Sequence, residues 1–297
     1  MEFRIGEMAA LFTAICWTVS AMAFESASRK VGSVVVNLIR LVMAFLLISV
    51  FTLISRNMLL PLDATTFNWF WLLLSGLVGF VFGDLFLFKA FTVIGSRYSM
   101  LIMTLVPPMA AFTGWIFLGE RLSWIHLLGM TVTLSGISLV LFFRKDKNQT
   151  GISKLPLKGI VFALGGAAGQ AIGLVLSKHG MAGYDPFAAT QIRIIAGIIG
   201  FAFMVLMMKR WLAVRDASAN QRAMGLMLLG ATFGPFLGVS SSLLAVQNTA
   251  TGIASTIMAI TPILIIPPTL IFFKQKVNWL EIVGAFISVC GVALFFI

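Results

Sequence analysis

Charge is scarce in this chain. Asp, Glu, Lys and Arg make up 10% of its 297 residues, while 60% are hydrophobic. An average soluble domain carries about 25% charged residues. So few charges cannot cover a water-facing surface, which excludes a soluble globular protein. Histidine and cysteine are nearly missing as well, with two of each. Cys16 and Cys290 lie in separate apolar runs, and His126 and His179 lie far apart. Isolated cysteines form neither a disulfide framework nor a zinc spacing. No metal site, no cofactor and no Cys–His nucleophile are therefore expected. Acid is scarcer than base, 10 residues against 21, for a net charge of +11. The bases fall between apolar runs, as at Arg144, Lys145 and Lys147, where they meet anionic headgroups and set topology. No polar domain presents a basic face, so nucleic acid is not an expected partner.

What the chain has in abundance is long apolar runs. A bilayer-spanning helix needs about 20 mostly apolar residues. Ten such runs are readable, at 6–25, 34–54, 69–91, 97–118, 123–143, 158–177, 186–208, 223–245, 250–273 and 277–297. The expectation is an all-α multi-pass protein of a cell membrane, in contact with lipid. Its oligomeric state is not fixed by the sequence, and a monomer suffices.

The two halves of the chain are copies. At an offset of 155, Gly79 falls on Gly234, Gly83 on Gly238, Pro107 on Pro262, Gly129 on Gly284 and Gly136 on Gly291. Earlier in each half an offset of 153 places Arg40 on Arg193 and Trp17 on Gln170. The chain thus divides into a first five-helix repeat at 1–143, a connection at 144–157 and a second repeat at 158–297. Five is odd, so the second repeat enters the membrane from the opposite side. The expected architecture is ten helices as two inverted repeats around a central cavity, a design that suits a carrier with its solute held between the copies.

The stretch "LVPPMAAFTGWIFLGERLSWIHLLGMTVTLSGISLVL" resembles the end of an EamA repeat of the drug/metabolite transporter superfamily. The resemblance rests on Pro107, on Leu118-Gly119-Glu120, on Gly129 with Gly136, and on an arginine in each second span, Arg40 and Arg193. It covers nearly the whole chain as two units. The second copy departs from it, with Gln275 where the first has Glu120. The resemblance implies secondary transport of a small organic metabolite such as an amino acid or a drug-like amine, in an exporter of a bacterial inner membrane, and no enzyme activity. The alternatives are a lipid-acting intramembrane enzyme and a membrane protein that transports nothing.

The candidate site follows from polar residues inside apolar runs. Asp84 is the one carboxylate deep in a span, and ionisable groups there need a partner or a wet cavity. Lys89 is five residues on, about 140° around a helix, so a tight intrahelical pair is not expected. Arg40 is the partner that Asp84 calls for. Such a pair either fixes packing or belongs to the site of the solute, where Asp84 is also the best carrier if a proton is the coupling ion. At the repeat offset Asp84 falls on Val239 and Lys89 on Leu244, whereas the arginines recur. A feature confined to one half breaks the symmetry, as an asymmetric solute requires. Arg193, with no matching acid in its own half, is a candidate for attracting an anion. Trp17, Gln170 and Asn248 complete the polar candidates. Pro107 and Pro262 are hinge candidates, since each frees a carbonyl and can kink its span.

Two criteria for orientation conflict. Fourteen basic loop residues, among them Lys145 and Lys209, lie on one side, against Arg4, Arg56, Arg121 and Lys178 on the other. That count places both termini outside, while relatives resembling this chain are expected to have cytoplasmic termini.

Overall fold

Thr65 and Asn68 open the third span with a reciprocal capping box. Asp185 caps the helix that follows it, with Pro186 in the first turn, where the missing N–H costs nothing. Such local signals mark the elements of the computed structural model, which describes residues 4–143, 156–264, 267–268 and 278–296. The first half holds α1 (Ile5–Val31), α2 (Ser33–Arg56), α3 (Thr66–Gly76), a π-helical segment (Leu77–Gly83), α4 (Asp84–Met103), α5 (Val106–Leu118) and α6 (Trp124–Phe143). The second holds α7 (Leu157–Met181), α8 (Pro186–Met207), α9 (Trp211–Ala219), α10 (Gln221–Ala231), a second π-helical segment (Thr232–Phe236), α11 (Leu237–Asn248), α12 (Thr251–Met258), α13 (Thr261–Leu264) and α14 (Trp279–Ala293). No strand occurs among the described residues. Among the described residues seven helices are long and apolar enough to cross a membrane, and Val106–Leu118 and Trp124–Val140 are shorter apolar helices. Large side chains such as Ile54, Phe117, Phe203 and Phe286 are exposed, as a lipid-facing belt requires.

Equivalent helices pack against each other antiparallel. On α6 and α14, a Cβ on Gly136 would lie 2.5 Å from the Gly284 carbonyl, and one on Gly129 would lie 3.1 Å from the Gly291 carbonyl. Those two contacts exchange under the repeat offset, so the pairing is two-fold in character. Likewise α2 meets α8, with Leu41 against Gly197 and Ser49 against Gln191. Each half also lends its first helix to the other half's third span. Gly173 and Gly169 of α7 meet Gly79 and Gly83, while Gly230, Gly234 and Gly238 meet Phe24, Ser20 and Trp17 of α1. Small residues permit this backbone approach, which substitutes van der Waals contact for a hydrophobic driving force absent in lipid. Arg4 donates to the Phe295 carbonyl at 2.6 Å, so the residues near the two chain ends share one end of the molecule.

Two expectations need correction. A break was expected between 91 and 97, but α4 runs unbroken from Asp84 to Met103. The interruption falls instead at Thr104–Leu105, inside the expected fourth span, and again at the equivalent Ala259–Ile260. Both breaks tighten into an i→i+3 turn, Leu105 N to Ile102 O at 3.0 Å and Ile260 N to Ile257 O at 3.2 Å. Pro107 accordingly sits in the first turn of α5 rather than kinking a continuous helix, and Pro262 has the equivalent place in α13. The segment 209–222 contains a helix, α9, whose Ala217 is buried in one apolar cluster with Ala27 and Val35. The connection 144–155 and the end of the expected ninth span, 269–273, lie outside the described residues, as does Gln275.

Candidate functional site

Asp84 begins α4 at the end of the first π-helical segment, 8% exposed. Its Oδ2 accepts from Arg40 Nη2 of α2 at 2.6 Å, and its Oδ1 accepts from Gln170 Nε2 of α7 at 3.2 Å. Arg193 of α8 completes the group. It is 6% exposed, its guanidinium lies 5.0 Å over the Phe80 ring, and its Nη2 would be 3.2 Å from a Cβ on Gly79. Arg40 rests similarly on Phe24, at 4.9 Å. The Nε atoms of both arginines are buried without a hydrogen-bond partner. Residues of both halves therefore meet at one place, on the π turn of the third span. π-helical segments widen the backbone ladder and are frequent at functional sites. The arrangement sets two guanidiniums beside one carboxylate, which is ion-paired with Arg40.

The family is legible from the chain itself. A family model, that of the EamA-like transporter family, matches residues 4–142 and again 157–297. The chain belongs to the EamA-like transporter family. It is accordingly a multi-pass membrane protein of a transporter family, with two EamA repeats. One solved crystal structure superposes on this EamA chain with a TM-score of 0.77 at 16% identity, covering 98% of this chain and 95% of that chain. At that identity the likeness is one of fold. None of the curated proteins matches the chain.

Of the residues singled out in this EamA chain, the structure brings together Asp84, Arg40, Gln170 and Arg193. Trp17 lies against Gly238, as its repeat equivalent Gln170 lies against Gly83, so the two do occupy matching places. Lys89 is exposed and lies 5.6 Å over the Phe162 ring, away from Asp84's carboxylate partners. Asn248 is exposed at the end of α11 and donates back to the Leu244 carbonyl of its own helix. A cavity of about 480 Å³ opens elsewhere, between α5 and α6, lined by Phe112, Trp115 and Met130.

Sequence reasoning missed a polar interlock at the end of the molecule that holds Arg4 and Phe295. Glu120 follows the end of α5. Its Oε1 lies 2.7 Å from Lys178 Nζ of α7, and its Oε2 accepts from the Thr251 N–H at 2.8 Å and hydroxyl at 2.6 Å. Lys178 donates to the Thr249 carbonyl at 2.7 Å, and the Thr249 hydroxyl reaches Glu7 at 3.1 Å. A second knot joins Arg56, Asp63 and Tyr184. Arg56 pairs with Asp63, and the Tyr184 hydroxyl donates to Asp63 at 2.7 Å. Burial pushes the Asp63 carboxyl up, but the Tyr184 hydroxyl and the Arg56 charge outweigh it and hold it below its ordinary value. Burial, with the Asp63 hydrogen bond, pushes the Tyr184 phenol up to about 12. Every one of these links crosses from one half to the other or ties a loop to the crossing. A signal was present in the repeat: Lys178 falls on Glu25 at the offset of 153, and Glu120 on Gln275 at the offset of 155.

Proposed function

We propose that this EamA protein is a secondary transporter that moves a small organic metabolite outward across a bacterial inner membrane by alternating access. The ten-span layout, with repeats 1–143 and 158–297 inverted about the membrane plane, is part of this reading. The observation that carries it is the buried Arg40–Asp84–Gln170–Arg193 group, built from both halves on a π turn. Ion pairs buried at such a place are costly to maintain. The broken fourth spans and antiparallel packing of equivalent helices support the same reading, since interrupted helices and inverted repeats accompany midplane solute sites. The interlock of Glu120 with Lys178 and of Asp63 with Tyr184 is the closed gate of this conformation. Solute reaching this group competes for its internal partners and releases the halves to rock. Asp84 is the carboxylate that couples the step, as a proton carrier.

Reconstituted protein tests this. Counterflow of amino acids, organic acids and amines in proteoliposomes is expected to identify a transported solute, and Asp84→Asn is expected to lower its flux at least 100-fold while the purified protein stays folded. Flux equal to the wild type in folded Asp84→Asn protein removes Asp84 from the mechanism.

A further inference from the structure

We infer that the buried cluster is a receptor for a carboxylate group, so that the solute is an organic anion or a zwitterion presenting its carboxylate to Arg193. The inference rests on the transport reading above and gives its site a substrate class.

Charge within the cluster does not balance. Among the described residues the cluster contains two guanidiniums, Arg40 and Arg193, and one carboxylate, Asp84. One positive charge is left over in a place shielded from water. Asp84 is already engaged on both oxygens, by Arg40 at 2.6 Å and by Gln170 at 3.2 Å. Arg193 is nine-tenths buried, and its Nε has no partner. An uncompensated buried cation is unstable relative to the same cation paired, and a planar guanidinium matches a carboxylate in two parallel hydrogen bonds.

The repeat says where the missing acid would be. Arg40 and Arg193 are equivalent, and so are Asp84 and Val239. The second half therefore keeps the arginine and replaces its acid with an apolar side chain, which leaves the acid to be supplied from outside. Ser240, the next residue, is fully buried with an unpartnered hydroxyl, a further free polar group on that turn. Gly79 also contributes: a Cβ there would come within 3.2 Å of Arg193 Nη2, so the bare backbone leaves that nitrogen uncrowded. A cationic amine fits the site less well, because it adds a third positive group to a cluster whose single carboxylate is occupied.

The test uses the full chain, purified in detergent, with thermal unfolding as the readout for binding. The probes are isovalerate, phenylacetate and leucine, set against isoamylamine, phenethylamine and leucinamide on the same carbon skeletons. At least one carboxylate is expected to raise the unfolding midpoint while its matched amine or amide does not. Arg193→Gln is expected to raise the apparent Kd of that carboxylate at least tenfold, and Arg193→Lys to recover part of the loss. Val239→Asp, which supplies an internal acid and leaves the arginine in place, is expected to give a similar loss, and it decides the matter if Arg193→Gln does not fold. An amine that binds better than its carboxylate, no stabilisation by any carboxylate, or unchanged affinity in folded Val239→Asp protein overturns the inference. Carboxylate binding without flux in proteoliposomes contradicts transport and upholds the receptor. Flux of amines without carboxylate binding upholds transport and overturns the receptor.

Discussion

The two halves of this EamA chain share a scaffold and differ in their polar side chains. Both third spans pass through a π-helical segment that starts at an equivalent residue, Leu77 and Thr232, and both fourth spans break at equivalent pairs, Thr104–Leu105 and Ala259–Ile260. Both second spans keep an arginine, and both fifth spans cross on paired glycines. Against this, Asp84 answers to Val239, Glu120 to Gln275 and Lys178 to Glu25. In the first half an acid meets its arginine at 2.6 Å, and Glu120 reaches Lys178 at 2.7 Å. The shared features concern backbone approach and helix interruption, which any carrier of this shape needs. The unshared ones concern charge, which on the transport reading proposed above tells one solute and one closed end apart from their mirror images.

The largest expected effect breaks that comparison at its centre. Asp84→Ala leaves two buried arginines without an acid and is expected to cost about 3–5 kcal/mol. The equivalent Val239→Ala removes only two methyl groups, worth about 1.6 kcal/mol at about 0.8 per carbon. Reversible unfolding of both variants in mixed micelles checks the ratio, and equal costs would mean that the cluster is not electrostatically special. Next in size is the glycine crossing. Gly136→Ala puts a methyl against Ser288 Oγ and 2.5 Å from the Gly284 carbonyl, and Gly284→Ala puts one 2.8 Å from the Gly136 carbonyl. Each is expected to cost about 1–3 kcal/mol by overpacking. Gly225, with nothing within 4 Å of its added Cβ, is the control. Gly225→Ala is expected to stabilise α10 by roughly 0.5–1 kcal/mol, the backbone entropy that glycine loses in a helix. The smallest effect lies in the closed end. A phenol raised to about 12 in the folded protein stabilises fully below its unfolded value of about 10, and that contribution is lost as pH rises through 12. Tyr184→Phe should therefore flatten the alkaline limb of thermal stability between those two values. Asp63, held low, works in the opposite direction: its contribution is present above its unfolded value and is lost as pH falls through the folded one.

Much of the scaffold was legible because it rests on composition and repetition. The apolar runs marked the long apolar helices, seven of which are long enough to span among the described residues, the matched glycines gave the two repeats, and five spans per repeat implied the antiparallel relation that α6 and α14 display. Pairing of Asp84 with Arg40 was legible too, because a short acid in a span has few ways to be satisfied. The span breaks were not. Pro107 advertises a missing N–H, but that fits a kink and a helix start equally, and the turn at Thr104–Leu105 has no glycine to mark it. The π segments were hidden because their extra residue disturbs the helical period by less than one apolar run can report. Lys89 and Asn248 were chosen as polar residues within apolar runs. Both lie near span ends, where a long stem over Phe162 or a bond back to Leu244 satisfies them locally. Glu120 and Lys178 were passed over because they sit in or near connections, where charge is ordinary. Only their unlike repeat partners set them apart.

The account stands or falls on whether the two ends move in opposite senses. On a background lacking Cys16 and Cys290, spin labels at Arg121 and Asn248 report the interlocked end, and labels at Lys30 and Arg210 report the other; all four positions are exposed. Pulsed-EPR distances in liposomes, with and without Glu120→Gln to loosen the interlock, give the direct comparison. The account predicts that Glu120→Gln shifts population toward a longer Arg121–Asn248 distance and, in the same samples, toward a shorter Lys30–Arg210 distance. Both distances lengthening together, or neither changing, would contradict alternating access between the repeats.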